Sequence, residues 1–305
     1  MKNFLSIIFL FVGLVSAQSI ETKIIHNIQN EIITNIDIKN EFKYLLALNN
    51  NLKELDKESI FNISNQSIIK EKIKLIEITK YFKKVEINIE YLDVLLKQIY
   101  TGKGLKSLEE FEVYLKDYSL ILSEVRKKIT IDALWNELIM RKYSSLIEID
   151  EEKINKKITN NINNQTKEYQ LSEIVFEVKS KEEIEKKYKD IIRNIKEKGF
   201  ENTASLFSFS ESSKIGGDIG WINQNSLNSQ IKNKISKLKI GEITNPIILP
   251  NGILILKVKN IRNSKIKTDY KLELKKAINF ERTKQLDQYS KIYFNKLKKN
   301  LDFNE

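Results

Sequence analysis

Apolar residues recur with a helical period through most of the first half of this chain, and the polar residues between them mark where each helix begins. Two short strands come first, over about 20–29 and 31–34, with Ile24, Ile25, Ile28, Ile32 and Ile33 flanking Asn27-Ile28-Gln29-Asn30. Thr34-Asn35-Ile36-Asp37 has the spacing of a capping box. It predicts a helix with Phe42, Leu45, Leu46 and Leu48 on one side. Ile68, Ile69, Ile73, Ile76 and Phe82 predict a second over about 66–84. Asn88 opens a third, with Leu92, Leu95, Leu96 and Ile99, that stops at Gly102-Lys103-Gly104. Ser107-Leu108-Glu109-Glu110 repeats the capping-box pattern ahead of a short helix through Tyr114 and Leu115. A long helix over about 119–145 carries Leu122, Val125, Ile129, Leu134, Trp135 and Leu138. These stripes are the expected core of a helical unit.

From Asp150 to Thr166 the chain turns polar and Asn-rich, as a last helix leading into a linker. The pattern then becomes mixed: a strand (Gln170–Val178), a helix (Ser180–Lys198) capped by Ser180 and Glu183, a short helix (about 201–207) and another (about 226–237). A hairpin follows, turning through Leu249-Pro250-Asn251-Gly252 with Pro second and Gly fourth. A final helix over about 269–298 carries Leu272, Leu274, Ala277, Leu286, Ile292 and Phe294. The chain has only 9 Gly and 2 Pro, yet Gly216, Gly217, Gly220, Gly241, Gly252 and both prolines lie inside one short window. That concentration of backbone-shaping residues marks a compact unit with tightly specified turns.

Composition narrows the setting. Lys2, the apolar run Phe4–Val15 and the small residues Val15-Ser16-Ala17 form an export signal, cleaved after Ala17 to leave Gln18 first. A run of about a dozen apolar residues is too short to cross a bilayer, so no stable membrane anchor is expected. The absence of Cys excludes disulfides, thiolate metal sites, Cys nucleophiles and lipid attachment through an N-terminal Cys. An exported chain of this kind belongs in a bacterial periplasm. The net charge of +11 comes from lysines interspersed with acidic residues, as in Lys181-Glu182-Glu183-Ile184-Glu185-Lys186. This describes solvated helix faces and not a nucleic-acid-binding block. No metal site, cofactor site or hydrolase motif is present in the sequence, and the only His is His26.

The ordered triple Gly216-Gly217-Asp218-Ile219-Gly220-Trp221, then Gly241-Glu242-Ile243-Thr244-Asn245-Pro246, then Gly252-Ile253-Leu254-Ile255-Leu256 resembles the C-terminal half of a parvulin-type peptidyl-prolyl isomerase domain. The layout around it resembles the SurA family of periplasmic chaperones, and Leu120–Tyr143, with Leu122-Ser123-Glu124-Val125-Arg126 and Ile129-Thr130, resembles one of that family's helices. The resemblance implies an α+β protein with a signal peptide (1–17) and a helical N-terminal chaperone domain (18–166). One parvulin-like domain (167–263), a four-stranded antiparallel sheet with flanking helices, would follow. A C-terminal helix (264–305) would return to the N-terminal domain. It also implies an ATP-independent holdase for unfolded outer-membrane proteins or aromatic-rich peptides, with no cofactor.

Active parvulins resemble one another in two strand histidines, an Asp or Cys between them, and an apolar pocket for the proline ring. The resemblance places those polar positions on Glu173, in the strand stretch Leu171–Phe176, and, counted from Gly216 and Gly252, on Ser210 and Leu254. It places the peptide-binding pocket on Leu227 and Ile231, counted back from Gly241, and on Phe176. The reactive groups are thus replaced while Gly216, Gly217, Asp218, Gly220, Trp221, Gly241 and Gly252 keep the scaffold. Weak or absent isomerisation is expected. The alternative is an active isomerase resting on its apolar pocket alone.

Overall fold

The computed structural model describes residues 21–159, 166–178, 180, 182–249, 252–264, 270–301 and 303–304. The export-signal segment and the Pro250-Asn251 turn lie outside these residues. β1 (Ile24–Ile28) and β2 (Glu31–Thr34) form an antiparallel hairpin, turning at Gln29 with φ +53°. Thr34 then caps α1 (Asn35–Leu48), and the reciprocal bond from the Thr34 N–H to the Asp37 carboxylate, 2.8 Å, completes the expected capping box.

α2 (Lys57–Ile78) begins well before the apolar stripe that marked it. Its start is set by Asp56, whose carboxylate accepts from the Ser59 N–H at 2.8 Å, so polar turns precede the apolar ones. α3 (Ile89–Gly102) is capped by Asn88, and α4 (Leu108–Asp117) by the Ser107 hydroxyl. The Glu110 carboxylate reaches the Lys106 N–H instead of Ser107, so only half of that capping box forms. α5 (Leu122–Tyr143) completes a helical body whose core gathers Leu45, Leu96, Phe111, Leu115 and Val125. α6 (Glu151–Thr159) follows.

The second unit is a sheet with helices on both faces. β3 (Thr166–Phe176), β4 (Asp218–Asn223), β5 (Ile247–Leu249) and β6 (Gly252–Ser264) lie in the antiparallel order β4-β3-β6-β5. Strand alternation sorts the side chains. Tyr169, Leu171, Val175, Leu254, Leu256 and Val258 face α9 (Ser229–Ile235). Ile174, Phe176, Ile253 and Ile255 face α7 (Glu182–Lys198) and α8 (Phe200–Phe207). β3 and β6 run on together to the pair Thr166–Ser264, beyond their apolar cores, and Arg262 and Glu168 meet at 2.6 Å along that extension.

α10 (Tyr270–Asn300) returns to the helical body and packs on α5. Trp135 is its anchor: the ring lies 5.8 Å from Tyr293 and 6.3 Å from Phe294, and its N–H donates to the Ser290 hydroxyl at 2.8 Å. β7 (Phe303–Asn304) then adds to the N-terminal hairpin, in the order β2-β1-β7. The molecule is therefore mostly helical with one four-stranded antiparallel sheet, an α+β protein. Among the described residues no helix is long and apolar enough to cross a membrane.

Candidate functional site

Glu173, Ser210 and Leu254, the positions to which the parvulin resemblance points, converge on one face of the sheet. Glu173 lies opposite Leu256 in the β3–β6 register, and Val175 opposite Leu254, so Glu173 and Leu254 are diagonal neighbours. Ser210 comes from the loop after α8 and reaches Glu173 through a chain of hydroxyls. The Val175 N–H donates to Ser208 Oγ at 3.0 Å, Ser208 and Ser210 share a bond at 2.9 Å, and Ser210 and Ser212 share one at 2.7 Å. Ser212 Oγ then donates to Glu173 Oε1 at 2.9 Å. Burial raises the Glu173 carboxyl above its ordinary pKa, and the serine hydrogen bonds oppose that shift. Ser208 and Ser212 were not among the residues the sequence pointed to. The trace they leave there is Ser208-Phe209-Ser210-Glu211-Ser212, with serine at every second place.

The glycine motif builds the floor of this loop. The Gly217 carbonyl accepts from the Glu173 N–H at 2.8 Å, and Gly217 has φ +80°. A Cβ there would sit 2.3 Å from the Glu173 carbonyl oxygen, so no other side chain fits. Gly216 ends the preceding 3₁₀ turn in the left-handed region. Asp218 accepts from the Gly220 N–H at 2.8 Å and from Lys259 Nζ at 2.6 Å. Trp221 carries the Arg262 guanidinium 4.1 Å above its ring. The Gly241 N–H donates to the Val258 carbonyl at 2.7 Å, and Gly252 starts β6 beside the Phe176 carbonyl.

The apolar positions divide. Leu227 and Ile231 pack with Leu254, Val175, Ile247 and Phe209 on the face that carries Glu173. Leu227 is 7% exposed and Leu254 5%, so they present little surface to a ligand. Phe176, expected beside them, is instead 1% exposed on the opposite face, among Ile191, Phe200 and Ala204. The strand's period of two carries it away from the pocket. It is core, closed off from any peptide lying against Leu227 and Ile231. His26 bonds Asn65 at 2.8 Å in the N-terminal hairpin. Among the described residues no group of three or more His, Cys, Asp or Glu could hold a metal ion.

Chemically, the site offers a carboxyl group, three hydroxyls and a closed apolar patch. It holds no imidazole, and Leu254 can neither donate nor accept a hydrogen bond. It can orient a loop through directional bonds, but it has few groups with which to polarise a substrate amide.

Comparison with known proteins agrees with the motif geometry. Residues 170–260 match the rotamase family, described as the PPIC-type PPIASE domain. Chaperone SurA of Pseudomonas putida is 25% identical over 187 residues, 58% of this chain and 44% of that protein. Chaperone SurA of Pseudomonas aeruginosa is 23% identical over the same length. This chain is SurA-like and carries a PpiC-type parvulin domain. It spans less than half the length of these SurA chaperones. Foldase protein PrsA 2 of Bacillus anthracis is 31% identical over 91 residues, 30% of this chain and 32% of that one. A solved SurA-like chaperone from Campylobacter jejuni covers 92% of this chain and 98% of its own, at 16% identity and a TM-score of 0.36.

Proposed function

We propose that this SurA-like protein is a periplasmic, ATP-independent chaperone that holds unfolded outer-membrane proteins, with a parvulin domain that isomerises prolines weakly or not at all. The observation that carries the second half is the site itself. Glu173 and Ser210 are tied into a hydroxyl chain that ends on the backbone of β3, and Leu254 is buried in the core. Lowering the barrier to amide rotation, ~18–20 kcal/mol, needs groups that twist, desolvate or polarise the imide. The scaffold for that work is present while the reactive groups are not. Holding is assigned to the helical body, residues 18–166 completed by 264–305, where apolar side chains such as Tyr91, Val94, Val113 and Ile121 remain exposed. Client β-strands rich in aromatic residues would meet them without an energy source.

The match to a PpiC-type domain favours a second reading, an isomerase that works by apolar desolvation alone. One paired assay on the protein from Gln18 onward separates the two. X-Pro isomerisation of a tetrapeptide is expected near the uncatalysed rate, and aggregation of an unfolded outer-membrane protein is expected to be suppressed. An isomerisation rate equal to that of a two-histidine parvulin would overturn the first reading in favour of the second.

A further inference from the structure

The loop from Ser208 to Ile215 has two working sides. Towards the sheet it carries the hydroxyl chain to Glu173. Towards the helical body it presents Glu211 and Lys214 to α2 and α5. Glu211 receives Lys70 Nζ at 2.6 Å and Lys74 Nζ at 3.1 Å. Asp132 of α5 receives Lys74 at 2.7 Å and Lys214 at 2.9 Å. Lys74 is 2% exposed, whereas the Glu211 side chain is 50% exposed, so the cluster is closed on the α2 side and open to solvent at the loop. Its surroundings are polar as well: Lys198 pairs with Asp56 at 2.7 Å, and the Asn202 amide donates to the Asn51 carbonyl at 3.2 Å. Leu206 of α8 adds an apolar contact, against the core of the helical body.

Three ammonium groups share two carboxylates here, and the sharing crosses from one unit to the other. If the parvulin domain moved away, Glu211 and Lys214 would leave with it. Lys70 would lose its 2.6 Å partner, and Lys74 would keep Asp132 alone. The ionic part of the contact between the units therefore depends on where Glu211 is held. That position is set from behind by the 3₁₀ turn that starts at Ser210, whose hydroxyl chain is anchored on Glu173 and the Val175 N–H.

We propose that this loop is an ionic latch. It docks the parvulin domain on α2 and α5, and Glu173, Ser210 and Ser212 act as positioning residues that set the latch from inside the former isomerase site. The replacements at the reactive positions thus have a structural use, independent of whether the protein holds clients.

The chain has no Cys, so a single label pair can be introduced cleanly. Glu90→Cys on α3 and Lys189→Cys on α7 are exposed positions, one on each unit. Distance distributions between labels there, on the chain from Gln18 onward, should be narrow at low salt. Raising salt to about 1 M shortens the screening length to ~3 Å and should at least double the width. The paired change Glu211→Gln with Lys214→Gln should give that broad distribution already at low salt. Ser212→Ala should give an intermediate one, although the hydroxyl it removes bonds Ser210 and Glu173 on the sheet side. A width that stays constant from low to high salt in the unsubstituted labelled protein overturns the latch, and that measurement needs no variant to fold. A Ser212→Ala distribution identical to the parent's removes the role assigned to the hydroxyl chain.

Discussion

α10 and the parvulin domain both lean on α2 and α5, but through different chemistry. α10 arrives with aromatic rings: Tyr293 and Phe294 close on Trp135, and Tyr289 stacks on Tyr143 at 4.8 Å. The parvulin domain arrives with charges, Glu211 and Lys214 among the lysines and Asp132. Apolar burial is non-directional and is not weakened by charge screening, so the first joint is a continuation of the core. The second depends on protonation, ionic strength and the position of a few atoms. A chain can thus carry one fixed joint and one conditional joint on the same pair of helices.

The largest effect is expected at the aromatic joint. Trp135→Ala removes a buried ring and its bond to Ser290, and should cost about 3–5 kcal/mol in chemical denaturation. A loss below 1 kcal/mol would show that α10 is not part of this core. At the ionic joint, Asp132→Asn leaves Lys74 with Glu211 as its remaining carboxylate. Because Asp132 and Glu211 are both partly exposed, the expected cost is smaller, about 1–3 kcal/mol, and it should shrink further at high salt. A salt-independent loss would place that joint with the aromatic one.

Acid should separate Asp132 at the ionic joint from Asp287 on α10 by sign. Burial pushes Asp132 up, but the Lys214 and Lys74 ammonium groups more than offset it and bring it down to about 2. Its contribution is present above its unfolded value near ~4 and lost as pH falls towards 2. Asp287 on α10 behaves the other way. Burial, Glu211 and Glu173 push it up to about 6, with Lys70 opposing them. Its folded form binds more protons, so its contribution is full below ~4 and lost as pH rises through 6. Thermal midpoints of Asp287→Asn should therefore lack the decline between pH 4 and 6 that the parent shows. Parallel curves would show that Asp287 does not hold its extra proton in the folded state. The smallest effect belongs to Arg262→Ala, which loses an exposed contact with Trp221 and Glu168 away from both joints. It should stay within about 1 kcal/mol and leave the spacing of the two units unchanged.

Much of this architecture is written in short-range patterns. Thr34, Asn88 and Ser107 mark helix starts because a capping side chain bonds only two or three residues onward. The glycine motif is readable for a similar reason, since Gly217 answers to a steric limit that no neighbour relieves. The polar extension of β3 and β6 left no alternation to detect, and its pairing is carried by backbone bonds along the register from Thr166–Ser264. Phe176 lies on the face opposite Leu227 and Ile231 because neighbouring strand residues alternate, and a strand position read without its register does not disclose the face. The charge cluster is invisible in sequence for a different reason. Lys70, Asp132 and Glu211 look like any solvated lysine, aspartate and glutamate until the fold brings α2, α5 and the loop together.

The pairing of β7 with β1 bears on the order of assembly. Asn304 lies opposite Asn27, and Phe303 opposite Ile28, so the first strand of the described chain waits for nearly its last residues. Trp135 likewise waits for Tyr293 and Phe294. During synthesis from the N-terminus the sheet of the parvulin domain, whose strands lie between Thr166 and Ser264, is complete before those residues exist. The helical body, begun first, is therefore finished last. Its closure joins residues far apart in sequence, and until α10 and β7 emerge the Trp135 ring and the outer edge of β1 lack their partners.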